Sequence, residues 1–204
     1  MEMKDKILQT AQELFFKYGI RSISMDDIAK ELSISKKTIY HLYKDKDQIV
    51  DTLIQEKFKK DAQHFEHIHK GAENVIEEMF SIMKHMGRVI GEANPAMFYD
   101  LQKYHSHAWQ VFKDFREERM VKMIEEMLLR GIKQGYIRAD INSKILARLR
   151  MAQVEMGFNP NLFPPAQFKI VDVQIAMLEH FLYGICTLKG HKLVNKYKQI
   201  IEEE

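Results

Sequence analysis

Proline is nearly missing from this chain, and its placement constrains the fold more than any other feature. There are four prolines in 204 residues, and three of them, Pro160, Pro164 and Pro165, share the stretch NPNLFPPA. A proline inside a helix removes a backbone donor and clashes with the preceding turn, whereas Leu, Met, Glu and Lys favour helix. Long proline-free stretches rich in those residues therefore predict helix almost throughout. Alternation of apolar and polar residues does not persist beyond a few positions, and no internal repeat or low-complexity tract occurs. The expected fold class is all-α.

Apolar spacing and capping residues place the helices. Ile7, Leu8, Ala11, Leu14, Phe15 and Tyr18 recur at helical spacing ahead of Gly19, which suits a left-handed cap. Ser24 with Asp27 three residues on is a capping box, and Ile28, Ala29 and Leu32 give the next short helix one apolar side. Ser33 and Ile34 allow only a tight turn before a third helix begins near Ser35, with Ile39 and Tyr43 inward. The segments then lengthen: 47–71, 72–90, a short helix opened by Asn94 and Pro95, 109–134, an Asn142-capped helix to Gly157, and 171–189, with an amphipathic tail after Gly190. The sum is nine or ten helices, with a three-helix head at 1–46 and a larger helical domain at 47–204.

The formal net charge is only +2, so nucleic-acid contact requires a local patch rather than a polycation. Residues 35–46, SKKTIYHLYKDK, supply one: Lys36, Lys37, Lys44 and Lys46 stand against Asp45 alone. In a helix starting at Ser35, Lys36 with Tyr40 and Lys37 with His41 point away from Ile39 and Tyr43. A capped short helix, a tight turn and a basic helix carrying rings is the layout of a helix-turn-helix, whose second helix enters the major groove. Side chains at the start of that helix reach base edges, while hydroxyls and lysines hold phosphates.

Residues 7–54 resemble the N-terminal signature of the TetR family of transcriptional regulators. The matching pieces are A-x-x-L-F-x-x-x-G in the first helix, D-I-A-x-x-L in the second, S-K-x-T-[IL]-Y opening the third and K-x-K-x-x-[LI] entering the fourth. Beyond residue 54 the similarity is to the family's general helical layout. The resemblance implies a cytoplasmic homodimer that binds a pseudo-palindromic double-stranded DNA operator, usually as a repressor, and is released by a small effector bound in the second domain. It assigns Lys36, Lys37, Thr38 and His41 to bases or nearby backbone, and Tyr40, Lys46 and Ser24 to phosphates. Two departures stand out: Ser33 occupies a turn position where the family commonly has Gly, and Leu42 stands where a polar or aromatic phosphate partner is common.

The second domain is read for a cavity and a dimer face. Methionines and aromatics crowd residues 79–127, and flexible thioethers suit a cavity that adapts to apolar ligands. The expected lining is Met83, Phe98, Tyr104, Trp109, Met123 and Met156, with His105 and Gln153 as polar contacts. The helix from Val171 is apolar on more than one side, which fits a fully buried core helix as well as one shared with another subunit; the family resemblance implies the second and makes Val173, Met177, Phe181, Gly184, Ile185 and Leu188 the expected dimer interface. The alternative, a helical dimeric adaptor without a DNA role, keeps this interface and loses salt-dependent duplex binding. No catalytic constellation, cofactor motif or metal set is legible: E66-H-I-H69 has no second E-x-x-H to complete a di-iron bundle. The lone Cys186 fits a reducing cytosol, and no apolar run approaches the ~18 residues of a membrane span. The chain is therefore expected to be a cytoplasmic non-enzyme without cofactor or membrane partner.

Overall fold

Caps set the helix starts in the computed structural model, which describes residues 2–91, 94 and 96–202. The first helix, α1, spans Met3–Tyr18 and ends at Gly19, whose φ of 84° only glycine adopts readily. Ser24 caps α2 (Met25–Glu31): its Oγ accepts from the Asp27 N–H at 3.2 Å, and Asp27 Oδ2 accepts in return from the Ser24 N–H at 2.8 Å. Ser35 caps α3 (Lys36–Leu42) in the same way, accepting from the Thr38 N–H at 3.1 Å.

Between α2 and α3, Ile34 N–H returns to the Ala29 carbonyl and Ser33 N–H to that of Lys30. This Schellman pairing requires a left-handed residue at its centre, and Ser33 has φ 54°. A non-glycine side chain there is strained by roughly 1 kcal/mol. Ser33→Gly is therefore expected to stabilise the protein by up to about 0.5 kcal/mol after glycine's entropy cost, read as an equal or slightly higher urea midpoint; a clearly lower midpoint would contradict the turn geometry.

The remaining helices are α4 (Lys46–Gly71), α5 (Val75–Gly91), α6 (Ala96–Tyr104), α7 (Ser106–Phe115), α8 (Val121–Lys133), α9 (Ser143–Gly157), α10 (Ile170–Ile185) and α11 (Leu188–Glu202). A π-helical turn, Arg116–Met120, joins α7 to α8 without a break, so the single helix expected over 109–134 is one helical run with a widened turn. Gly190, expected to stand between two helices, lies in the first turn of α11. Pro95, expected to open α6, lies outside the described residues. Among those residues there is no strand beyond an isolated bridge between Ile137 and Cys186.

The chain packs as two compact units, Met1–Ala62 with Glu92–Phe115 and Gln63–Gly91 with Arg116–Glu204. Residues 1–62 thus pack with α6 and α7 in the first unit. In the first unit Ile7, Ile28, Ile39, Ile49 and Ala108 are fully buried in one core that also holds Tyr43 and Leu101. In the second, Val75, Ile76, Leu128, Ala147, Leu182 and Val194 are fully buried in another. Burying each large aliphatic side chain contributes roughly 1.5–3 kcal/mol relative to exposure.

Candidate nucleic-acid interface and ligand cavity

The surface of α3 follows from what its other face buries. Ile39 is fully buried and Tyr43, just past the helix, is 1 % exposed, so the opposite side must face out. Lys36, Lys37, Tyr40 and His41 are exposed there, Tyr40 at 47 %. Lys36 Nζ pairs with Asp26 Oδ2 at 2.7 Å and stands 5.9 Å from the Tyr40 ring centre. That exposed ion pair is worth little and exchanges readily for a phosphate.

Three other expected contacts are already engaged within the head. Thr38 is half-buried, and its hydroxyl lies 2.8 Å from Ser35 Oγ in the cap. The Ser24 hydroxyl donates to Asp27 Oδ2 at 2.6 Å, which places an acid beside it and holds Asp27 below the usual carboxylate range. Lys46 is turned inward: its Nζ donates to the Ile23 carbonyl at 2.6 Å, and burial pushes its pKa down against the pull of Asp100, Asp47 and Asp27. The phosphate role expected for Lys46 does not match this orientation. The sequence gives charge but not direction, and the carbonyl of Ile23 is the nearer partner.

Polar ties within the first unit join α6, α7 and the start of α4 to the head. Asp100 accepts from the Arg21 N–H at 2.9 Å, and Arg21 donates to the Tyr104 hydroxyl at 3.2 Å. His105 Nδ1 lies 2.6 Å from Asp47 Oδ1, and His107 Nδ1 lies 2.8 Å from Asp51 Oδ2. Trp109 stacks on Phe112 at 4.9 Å and meets Phe98 edge-on at 5.3 Å. Phe98, Tyr104, His105 and Trp109, expected to line the effector cavity, are thus the head's supporting layer.

A cavity of about 80 Å³ lies inside the second unit. Its lining is dominated by Met79, Met83, Met86, Met120, Met123, Met127 and Met151, with Arg150 and Gln174 as the polar residues. Met83 and Met123 were expected there and are present. Gln153 and Met156 are not part of the lining: Met156 is 43 % exposed, while Gln153 keeps a buried Oε1 without a hydrogen-bond partner. Arg150 and Gln174 escaped the sequence reading, although a charged residue in the row Ala147, Arg150, Met151, Val154 was a visible signal.

Of the expected dimer residues, Phe181 and Ile185 lie in the second core and Val173 is also buried, all at 3–7 % exposure. Met177 is half-buried; Gly184 is exposed and Leu188 is 82 % exposed. A row of exposed apolar residues runs instead along α9, with Ile145 at 63 %, Leu149 at 47 % and Met156 at 43 %. α10 thus has a buried face and an exposed one, the latter carrying Ala176, His180, Tyr183 and Gly184. Among the described residues no group of three or more His, Cys, Asp and Glu side chains is placed to hold a metal, and no helix is long and apolar enough to cross a membrane.

Comparison with known proteins gives this geometry its context. Residues 7–53 match the family model "Bacterial regulatory proteins, tetR family". An uncharacterized HTH-type transcriptional regulator of Bacillus subtilis, YvaF, is 24 % identical over 184 residues, 90 % of this chain and 95 % of that one. Among solved structures, a TetR-family regulator from Agrobacterium tumefaciens superposes with a TM-score of 0.72 at 19 % identity, over 90 % of this chain and 97 % of its own. The Bacillus subtilis regulator FadR, in complex with stearoyl-CoA, does so with a TM-score of 0.66 at 16 % identity, over 89 % and 98 %. The capped head with its outward basic helix, and these relatives, define a helix-turn-helix transcriptional regulator. Residues 7–53 thus carry the N-terminal domain described for the tetR family of bacterial regulatory proteins.

Proposed function

We propose that this regulator is a cytoplasmic repressor that binds a pseudo-palindromic operator as a homodimer and leaves it when a small, mostly apolar effector enters the second unit. It acts by binding rather than by catalysis. The observation that carries the reading is the seating of α3: Ile39 and Tyr43 are inside, and Lys36, Lys37, Tyr40 and His41 are free to meet a duplex. Lys37 and His41 then read base edges, Lys36 and Tyr40 hold phosphates, and Thr38 and Ser24 act through the helix caps they already serve.

Two features support the rest of the scheme. The methionine-lined cavity suits an adaptable apolar ligand, and the FadR relative is known with an acyl thioester bound. The row Ile145, Leu149 and Met156 on α9, with Gly184 and Leu188, offers uncovered apolar surface for a second copy.

Binding to a duplex from upstream of the regulator's own gene tests the proposal. Lys37→Ala or His41→Ala is expected to cost about 1–3 kcal/mol on the preferred sequence, roughly 5- to 150-fold, and to relax preference at one position per half-site. Because both side chains are exposed, thermal stability is expected to stay unchanged. Equal loss on specific and random DNA would remove the base-reading role; no salt-dependent duplex binding by the wild type would remove the function.

A further inference from the structure

Among the described residues of the second unit, Glu78 and Arg116 meet opposite charges, whereas Arg150 meets none. Glu78, 2 % exposed, meets Arg130 at 2.9 Å and His69 at 3.2 Å. Arg116 is held by Glu155 at 2.7 Å and Glu117 at 2.8 Å, and Arg148 takes the other Glu117 oxygen at 2.8 Å. Arg150, two residues from Arg148 on α9, is 7 % exposed and lines the methionine cavity. Its Nη1 is buried without a hydrogen-bond partner, and no carboxylate among the described residues pairs with it. Desolvation alone acts on it and lowers its pKa to about 10, so the guanidinium remains charged at neutral pH. A lone buried cation opposes folding, and a ligand that neutralises it recovers that loss on binding.

We propose that Arg150 is the anion-recognising residue of this cavity and that the ligand is an amphipathic monoanion, an aliphatic or alicyclic chain ending in a single carboxylate. This rests on the reading of the cavity as an effector site and names the chemical class of the effector. The planar guanidinium presents paired N–H donors that match the two carboxylate oxygens. The rest of the lining is thioether and aliphatic with one aromatic ring, Phe181, apart from Gln174, whose amide donates to the Val154 carbonyl at 2.8 Å. A phosphate monoester would bring a second negative charge with no second cation to meet it. A cavity of about 80 Å³ takes only a short chain as it stands. Longer chains enter by rotamer changes of the methionines, which bend at little cost.

The experiment compares decanoate, decanol and decylamine by calorimetry on the full chain without DNA. Decanoate is expected to bind at least about tenfold more tightly than decanol, and decylamine not at all. Arg150→Met is expected to lose decanoate affinity about tenfold or more while keeping decanol within about threefold. It is also expected to melt no lower than the wild type, because an unpaired buried charge is replaced by an apolar chain. Arg150→Lys, with the charge but not the fork, is expected to keep part of the preference for decanoate. Equal affinity of the wild type for decanoate and decanol, or an undiminished preference in Arg150→Met, would overturn the inference. Release of operator DNA is measured separately. Arg150-dependent decanoate binding without release supports the inference and sinks the ligand-responsive reading, and release by decanol with no carboxylate preference does the reverse.

Discussion

Truncating Tyr43 to alanine is expected to destabilise the head by about 3–5 kcal/mol and to abolish specific duplex binding, although this ring faces away from any DNA. Its side chain is 1 % exposed in the core formed by α1, α2, α3 and the start of α4. Removing a buried aromatic ring loses its transfer free energy and leaves a cavity the surroundings fill only partly. A domain's whole stability is about 5–15 kcal/mol, so the loss threatens the fold itself. Tyr43→Phe separates ring from hydroxyl. The hydroxyl reaches the Lys4 carbonyl only at 3.4 Å, and burial pushes its pKa up to about 12, so removing it is expected to change stability by under about 1 kcal/mol. Urea unfolding and mobility shift on the same preparations check both; an alanine variant that keeps its midpoint and its operator would show that α3 is not held by this residue.

The second large effect is expected at Gly190. A Cβ there would overlap the Tyr136 carbonyl oxygen and sit 3.0 Å from Cys186 Cβ and 3.1 Å from its Sγ. The carbonyl cannot retreat freely, because it accepts from the Thr187 N–H at 2.9 Å beside the Ile137–Cys186 bridge. Alanine in an open helix position gains roughly 1 kcal/mol over glycine. Here overpacking reverses that sign, and Gly190→Ala is expected to cost about 1–3 kcal/mol. Gly71→Ala, with nothing near its would-be Cβ, serves as the control and is expected to be neutral or mildly stabilising. Thermal denaturation of the pair decides it: equal melting temperatures would mean that α11 does not need the close approach.

Local rules were legible in the sequence and long-range choices were not. Ser24 with Asp27, Ser35 and Asn142 announced helix starts, and each accepts the backbone hydrogen bond its position implies. The inward pair Ile39 and Tyr43 fixed which face of α3 remains free. Helical spacing shows that a residue points inward but not into which core. Phe98, Tyr104, His105 and Trp109 were therefore placed at the cavity, while α6 and α7 carry them into the head's unit. The same gap holds on α10, where Phe181 and Ile185 face the core of their own unit while Gly184 is exposed. Lys46 shows a third limit: a long cation chooses between solvent, phosphate and a nearby carbonyl only once the chain has folded.

Because Leu101 and Ala108 share the core of the first unit with Ile28 and Ile39, the helix-turn-helix head packs as a composite of two stretches separated in sequence. Recombination that swapped only the first helices between related regulators would strip that foundation. Changes in Ile7, Ala11 or Ile49 must instead be accommodated by changes some fifty or more residues downstream. The outward positions of α3 are thus free to vary, while its footing evolves as one piece with α6 and α7.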